Sequence, residues 1–163
     1  KTRKNFVIVG STGSGKTTLL RAMLNSVSAE RIITIEDSLE LDIRNSVSLH
    51  SRSANQEGFG GITLEKLVKE ALRMRPDRIA VGESRGDELA VLLQAMNTGH
   101  AGTGFTLHAN GVDEVVPRML SLLARAGVSP SLGRAMIASS IDFILLMSRN
   151  PRELSLIEPL VIR

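Results

Sequence analysis

A glycine-rich segment near the amino terminus has the residue types and the spacing of a phosphate-binding loop. Residues 10–17 read Gly-Ser-Thr-Gly-Ser-Gly-Lys-Thr, which matches the pattern G-x-x-x-x-G-K-S/T. Glycines allow successive backbone N–H groups to face the phosphates, and the start of a helix adds a positive dipole. We expect Lys16 to reach the β- and γ-phosphate oxygens and Thr17 to bind Mg²⁺. The candidate phosphate-binding residues are Gly10, Ser11, Thr12, Gly13, Ser14, Gly15, Lys16, Thr17 and Thr18.

Two glutamates follow apolar runs and are candidates for activating water or holding the metal. Glu36 ends the run 32–35, and Glu83 follows the run 79–81. Gly82 stands where many phosphate-loop enzymes place a metal-binding Asp, so this second strand end is atypical. In open α/β sheets, ligands bind at the carboxyl ends of the strands, where both carboxylates are expected. The residues leave open whether Glu36 or Glu83 is the catalytic base.

His108 is the histidine whose position suits a role in catalysis. It ends an apolar run that follows a glycine-rich turn at residues 102–104. Its imidazole is therefore placed to donate to a γ-phosphate and to respond to the presence of that phosphate. His50 is interpreted as a structural or exposed histidine.

The candidate residues lie near the ends of several predicted strands, so the strands must end side by side to bring these residues to one site. Runs rich in Val, Ile and Leu predict seven strands, near residues 5–9, 31–36, 46–50, 78–82, 103–108, 141–148 and 154–162. Helical spacing predicts five helices, near residues 16–27, 63–74, 84–96, 113–126 and 131–140. Strands that alternate with helices predict an α/β fold with a largely parallel sheet flanked by helices.

Local signals predict where some of these elements begin and end. Ser84, with Asp87 three residues later, is expected to cap the third helix. Gly127 is expected to stop the fourth helix, and Pro117 is expected near the first turn of that helix. Residues 55–61, rich in glycine and polar side chains, are the predicted mobile loop.

Length and composition limit the class of protein. With 163 residues, 42% hydrophobic and 23% charged, the chain can bury one sizeable core, which predicts a single domain. No apolar run approaches the length of about 20 residues that a membrane-spanning helix needs. The absence of cysteine excludes disulfides and thiolate metal sites and suits the cytosol.

The charge balance favours a mixed surface over a nucleic-acid surface. The net charge is +3, but the basic residues are dispersed among acidic ones. Four Phe, with no Tyr or Trp, supply almost no aromatic surface on which bases could stack. We therefore expect no specific nucleic-acid partner.

Taken in order, these motifs resemble the secretion and pilus-assembly ATPase superfamily, and the resemblance spans nearly the whole chain. The segments that carry it are the Walker A motif at 10–17, the Asp box at 34–41, an atypical Walker B motif at 81–85 and the His box at 98–108. The segments 71–78 and 94–100 look most like the tight-adherence (Flp) pilus branch, with the conjugative type IV branch next.

The resemblance implies a RecA-like P-loop NTPase fold for residues 1–163, as the C-terminal motor domain of a longer protein. On this resemblance, the family's N-terminal domain is expected to be absent from this chain. The resemblance further implies ATP hydrolysis with Mg²⁺, coupled to secretion or pilus assembly. It implies a homohexamer in the full-length protein and an integral membrane platform protein as partner. The location implied is cytoplasmic, at the inner face of the cytoplasmic membrane.

The resemblance also implies a role for each candidate site residue. It places Lys16 and Thr17 on the phosphates and Mg²⁺, and it makes Glu36 the residue that activates water. It places Glu83 near the metal and His108 on the γ-phosphate. Arginines supplied partly by a neighbouring subunit are implied as well, and the candidates are Arg52, Arg73, Arg75 and Arg85.

Three other functions are compatible with the phosphate-binding loop. The first is a nucleic-acid motor built on the same core. The second is a kinase for a small acceptor, although no segment clearly supplies an acceptor pocket or an arginine-rich lid. The third is a nucleotide-gated interaction module without turnover, which the missing Walker B Asp at Gly82 suggests.

Overall fold

A computed structural model describes residues 3–27, 29–149 and 153–157. Its elements, in chain order, are β1 (Phe6–Gly10), α1 (Lys16–Asn25), β2 (Ile32–Glu36), β3 (Ser46–His50), α2 (Leu64–Arg73), β4 (Arg78–Val81), α3 (Glu88–Asn97), β5 (Gly104–His108), α4 (Val112–Arg125), α5 (Pro130–Ser140), β6 (Phe143–Met147) and β7 (Leu154–Ile157). The strands form one sheet in the order β3-β2-β4-β5-β1-β6-β7. All neighbouring pairs are parallel except β6 and β7, which are antiparallel.

Both faces of the sheet are covered, which explains why the central strands read as continuous apolar runs. Val7 and Val9 of β1 face the larger cluster, where α2, α3, α4 and α5 pack. Phe6 and Ile8 face the smaller cluster, which α1 and Leu41 complete. Among the described residues, no helix is long and apolar enough to cross a bilayer. The predicted largely parallel α/β fold is confirmed.

The predicted strands are confirmed to within about two residues at each end. For the last one, the structure shows Leu154–Ile157, and the rest of the predicted run lies outside the described residues. Residues 55–61 form an irregular loop closed by an antiparallel bridge between Arg52 and Ile62. Within that loop, the Asn55 side-chain oxygen accepts the N–H of Phe59 at 2.8 Å. The mobility of this loop stays a prediction.

The third helix begins at Glu88, so the predicted start at residue 84 is wrong. Glu88 is buried, and one of its carboxylate oxygens accepts the Ser84 hydroxyl at 3.0 Å and the Gly86 N–H at 2.8 Å. The N–H of Arg85 donates to the same oxygen at 2.6 Å. These bonds hold residues 84–87 in a turn. Asp87 precedes the helix without making a side-chain cap, so the expected pairing of Ser84 with Asp87 is also wrong.

The fourth helix ends as predicted but begins one residue earlier, and its proline lies deeper than expected. Pro117 is in the second turn of α4, where the missing N–H costs one hydrogen bond within the helix. Gly127 follows the helix with φ of 78°, a left-handed conformation that glycine adopts without strain. Its N–H donates to the Ala124 carbonyl at 3.0 Å, and the N–H of Val128 donates to the Leu123 carbonyl at 3.0 Å. This double closure stops the helix at Gly127.

Candidate active site

The phosphate-binding loop connects β1, a central strand, to the start of α1. Its first residue, Gly10, pairs in register with His108 of β5 on one side and with Met147 of β6 on the other. A Cβ atom at Gly10 would collide with the Met147 carbonyl and lie 2.6 Å from the Ser14 hydroxyl oxygen. Gly15 has a φ of 97°, which side-chain-bearing residues rarely adopt. Glycine is therefore required at both ends of the loop.

Lys16 is the first residue of α1, and its side chain folds back over the loop. Its exposed fraction is 9%, and its ammonium donates to the Gly10 carbonyl at 2.9 Å and to the Ser11 carbonyl at 2.9 Å. Burial lowers the pKa of Lys16, and the negative charge of nearby Glu83 acts in the opposite direction. Among the described residues no carboxylate binds the ammonium, so it can exchange these carbonyl oxygens for phosphate oxygens.

A polar cleft of about 480 Å³ opens above the loop. Most residues expected to bind phosphate and metal line it, together with the candidate Arg85, with Glu40 of the Asp box and with Thr106, which the sequence analysis did not single out: Thr12, Gly13, Gly15, Lys16, Thr17, Thr18, Glu40, Glu83, Arg85 and Thr106. A second cavity of about 490 Å³ lies between α1 and the amino ends of β1 and β6, where mainly apolar side chains line it. The convergence of charged groups identifies the polar cleft as the site.

Glu36 is a buried carboxyl at the end of β2, with an exposed fraction of 2%. One of its oxygens accepts the N–H groups of Glu40 at 3.0 Å and Leu41 at 2.9 Å. The other oxygen, Oε2, is buried and has no hydrogen-bond partner among the described residues. Burial raises the pKa of Glu36 despite these two hydrogen bonds. A buried carboxylate with one unpaired oxygen is suited to accept a proton.

The position of Glu36 explains the glycine at the end of β4. A Cβ atom at Gly82 would lie 3.0 Å from the Glu36 Cγ and 3.2 Å from its Oε1. Glu36, Gly82, Glu83 and Thr17 all line one small recess beside the main cleft. An Asp at position 82 would need the space that the Glu36 side chain occupies. A side chain at position 82 would therefore require the buried Glu36 side chain on the neighbouring strand to shift.

His50, interpreted from the sequence as a structural or exposed histidine, lies beside Glu36 on the neighbouring strand. The parallel register of β2 and β3 pairs the two residues, so their side chains emerge on the same face. The His50 Nε2 lies 3.0 Å from the Ser48 hydroxyl, which accepts from the Thr34 hydroxyl at 3.1 Å. A positive charge on His50 lowers the pKa of Glu36 and so opposes the effect of burial. Nothing in the local sequence signals this pairing, because it depends on strand register.

Glu83 lines the cleft and belongs to a series of ion-paired side chains. Its carboxylate pairs with the Arg85 guanidinium, which also lies 3.3 Å from the Asp37 carboxylate. Within the described residues, no group of three or more His, Cys, Asp and Glu side chains is placed to hold a metal. Glu83 and Thr17 nevertheless line the same cleft, and Mg²⁺ commonly uses one or two protein oxygens together with substrate phosphates and waters. The oxygen donors present fit that mode of binding.

The two histidines of the His box lie at opposite ends of β5. His108 is half-buried at the carboxyl end, next to Gly10 in register, and it is not among the residues that line the cleft. Thr106, two residues earlier on the same face, does line it and donates its hydroxyl to the Gly82 carbonyl at 2.5 Å. His100 lies in the turn before β5, at the amino edge of the sheet. The sequence contained a signal for Thr106, because side chains two residues apart on a strand lie on the same face, and Thr106 is two residues before the candidate His108.

Replacing Glu36 with Gln is expected to raise the melting temperature near pH 7.5 while lowering any turnover that needs a base here. Since the pKa of Glu36 is raised by burial, the folded state binds this proton more tightly than the unfolded chain. The associated stability is present below about pH 4.5, the ordinary pKa of the group, and is lost as pH rises through the folded value. A neutral amide avoids that loss, and its oxygen still accepts from Glu40 and Leu41.

The melting temperatures of the wild type and of Glu36→Gln, measured by calorimetry between about pH 4 and pH 7.5, test this prediction. The advantage of Glu36→Gln is expected to vanish near pH 4, where the wild-type carboxyl is itself neutral. Glu36→Ala is the control, because it leaves two N–H groups without an acceptor and is expected to melt below the wild type. A Glu36→Gln protein that melts below the wild type near pH 7.5 would contradict the prediction.

Comparison with known proteins places these features in a wider group. A family model described as type II/IV secretion system protein matches residues 1–151. A putative conjugal transfer protein of Mycobacterium tuberculosis is 48% identical over 151 residues, which cover 91% of this chain and 43% of that protein. The VirB11 protein of Agrobacterium fabrum is 38% identical over 150 residues, which cover 88% of this chain and 43% of that protein.

A solved structure shows the same architecture. The VirB11 ATPase from the Brucella suis type IV secretion system, in complex with sulphate, aligns with a TM-score of 0.85 and 26% sequence identity. The alignment covers 96% of this chain and 48% of that chain, and it confirms the RecA-like α/β fold class. The chain therefore spans less than half the length of each of these relatives.

Proposed function

Since the chain belongs to the type II/IV secretion system protein family, we propose that it is an ATP-binding and ATP-hydrolysing motor domain that powers protein secretion or pilus assembly. The observation that carries this proposal is the polar cleft at the carboxyl edge of the sheet. There residues of the phosphate-binding loop, Lys16 and Thr17 line the same cleft as Glu83, and the buried Glu36, with its unpaired oxygen, lines a small recess that Thr17 and Glu83 share. This arrangement has a phosphate anchor, metal donors and a base within one small volume.

Each residue of the site has a separate role in phosphoryl transfer. Backbone N–H groups of the loop and the Lys16 ammonium bind the β- and γ-phosphates, while Thr17 and Glu83 would hold Mg²⁺. When bound, Mg²⁺ neutralises charge that develops on the phosphate oxygens. Glu36 accepts a proton from the attacking water at its unpaired oxygen, because Glu83 is already engaged by Arg85. His108 donates to the γ-phosphate from the neighbouring strand end.

Family membership supports a proposal for the wider role. We assign residues 1–163 to the C-terminal motor domain of a longer protein in which an N-terminal domain closes over the nucleotide. The full-length protein forms a homohexamer and works on an integral membrane platform protein, at the cytoplasmic face of the inner membrane. Its substrate belongs to a conjugative, secretion or pilus system, and membership of the tight-adherence (Flp) branch stays a prediction. No specific nucleic-acid partner is part of this proposal.

Steady-state phosphate release by the full-length protein with Mg²⁺ and ATP tests the proposed activity. We expect turnover that added DNA does not stimulate, because the described surface offers no aromatic platform for bases at the cleft. Turnover that requires DNA would instead support a nucleic-acid motor. ATP binding without measurable phosphate release would support a nucleotide-gated interaction module and contradict the proposal.

A further inference from the structure

Arg149 lies beside the phosphate-binding loop, on the side of β1 away from the proposed catalytic carboxylates. It follows β6, which pairs with β1 on the side opposite to β5 and β4. The register of this pairing brings Met147 beside Gly10, so residues just after Met147 reach the carboxyl edge next to the phosphate-binding loop. The Arg149 guanidinium lies within 3.9 Å of the position that a Cβ atom would take at Gly13. Arg149 therefore packs against the middle of the loop.

The direction of a bound nucleotide follows from the positions of the other groups. Glu83 comes after β4 and Thr106 is on β5, so the terminal phosphate must face that side of β1 to meet the metal donors and the base. The loop fixes the remaining phosphates over β1 and the start of α1. The ribose and the base therefore leave the cleft on the other side of β1, where β6 ends and Arg149 lies.

Aromatic side chains are missing from that side of the cleft. The chain has no Tyr or Trp and only four Phe. Phe6 and Phe105 are buried in the core, Phe143 begins β6 at the opposite edge of the sheet, and Phe59 lies in the loop after β3. An adenine ring leaving the cleft meets none of them within the described residues. Besides aromatic rings, the planar guanidinium group of an arginine side chain can stack on a base.

Arg149 is available for such a contact. Its side chain is exposed, and within the described part of the chain it makes no hydrogen bond or ion pair. By contrast, the Arg85 guanidinium on the carboxylate side is paired with both Glu83 and Asp37. An exposed guanidinium that contacts the loop and has no carboxylate partner among the described residues can lie flat against a base without first breaking an ion pair there.

We propose that the Arg149 guanidinium stacks on the base of the bound nucleotide and supplies, within the same subunit, the contact that aromatic residues provide in other nucleotide sites. This inference rests on the proposed nucleotide-binding function of the cleft and adds the residue that holds the base. The contact concerns the base and ribose end of the ligand. It predicts a loss of affinity that depends on the base and is absent for a ligand made of phosphates alone.

Calorimetric titration of the full-length protein with ATP, ADP and inorganic tripolyphosphate tests the contact. Arg149→Ala is expected to weaken ATP and ADP binding by about 5- to 20-fold, in line with the loss of one stacking or cation–π contact, and to leave tripolyphosphate binding unchanged. Arg149→Lys keeps the charge but not the planar surface, so it is expected to restore little of the loss. Arg134→Ala, an exposed arginine on α5, is the matched control and is expected to bind all three ligands as the wild type does.

The alternative outcomes are distinct. Equal weakening of ATP and tripolyphosphate binding, with recovery in Arg149→Lys, would show that Arg149 binds phosphate and would overturn the stacking contact. Unchanged ATP binding in Arg149→Ala would also overturn it. A wild-type protein that binds neither ATP nor tripolyphosphate would refute the proposed nucleotide-binding function itself, and with it this inference.

Discussion

Lys16→Ala is expected to reduce ATP turnover by about 100- to 1000-fold, the loss typical of removing one preorganised donor to a developing charge. The ammonium lies at the mouth of the loop, and its hydrogen bonds go to the Gly10 and Ser11 carbonyls at 2.9 Å each. No apolar core contact depends on its charge. The two carbonyls border an open cleft, so water can replace the lost donor and the fold is expected to survive.

Phosphate release, ATP affinity by calorimetry and the melting temperature together measure this effect. Lys66→Ala is the matched control, because Lys66 is an exposed lysine on α2 outside the cleft. The control is expected to match the wild type in all three measurements. Unchanged turnover and affinity in Lys16→Ala would remove the basis for assigning residues 10–17 to phosphate binding.

The isolated chain is expected to bind ATP weakly and to hydrolyse it at least about 1000-fold more slowly than the full-length assembly. An arginine supplied by a neighbouring subunit contributes roughly 10³ to 10⁵ in rate in related phosphoryl-transfer sites. Arg85 is the member of the four-residue candidate set that lines the cleft, and it is already paired with Glu83 and Asp37. The other candidates, all within described residues, lie outside the cleft of their own subunit: Arg52, Arg73 and Arg75.

Steady-state phosphate release by both proteins, with the oligomeric state checked by sedimentation, measures this difference. Mixing provides a sharper test within the full-length protein. Lys16→Ala subunits keep their arginines but have an impaired cleft, whereas subunits with Arg52, Arg73 or Arg75 replaced by Ala keep an intact cleft. If one of these arginines acts across the subunit interface, mixing its Ala variant with Lys16→Ala subunits is expected to restore phosphate release. In such a mixture, the Lys16→Ala subunit supplies the arginine to the intact cleft of its neighbour. Comparable turnover by a monomeric isolated chain would show that catalysis is complete within one subunit.

Short-range patterns predicted most elements of this protein correctly, although not the start of α3. The spacing of residues 10–17 predicted the loop between β1 and α1, and the apolar run 5–9 predicted a buried strand. Both depend on backbone geometry and burial within about ten residues. The start of α3 was mispredicted because Ser84 and Asp87 resemble a cap, whereas the buried Glu88 carboxylate collects the N–H groups of the preceding turn. The competing acceptor was visible in the sequence, but its burial was not.

The sequence by itself determined the phosphate-binding loop, the α/β class and the family, because each rests on local spacing or on the order of motifs. Only the tertiary structure decided which distant groups meet. Strand order and register place Glu36 against Gly82, pair it with His50, and bring Arg149 to the loop at Gly13. These contacts join positions separated along the chain, and they arise when the sheet buries its apolar faces in one arrangement. Patterns among residues that are neighbours in the sequence do not predict that arrangement.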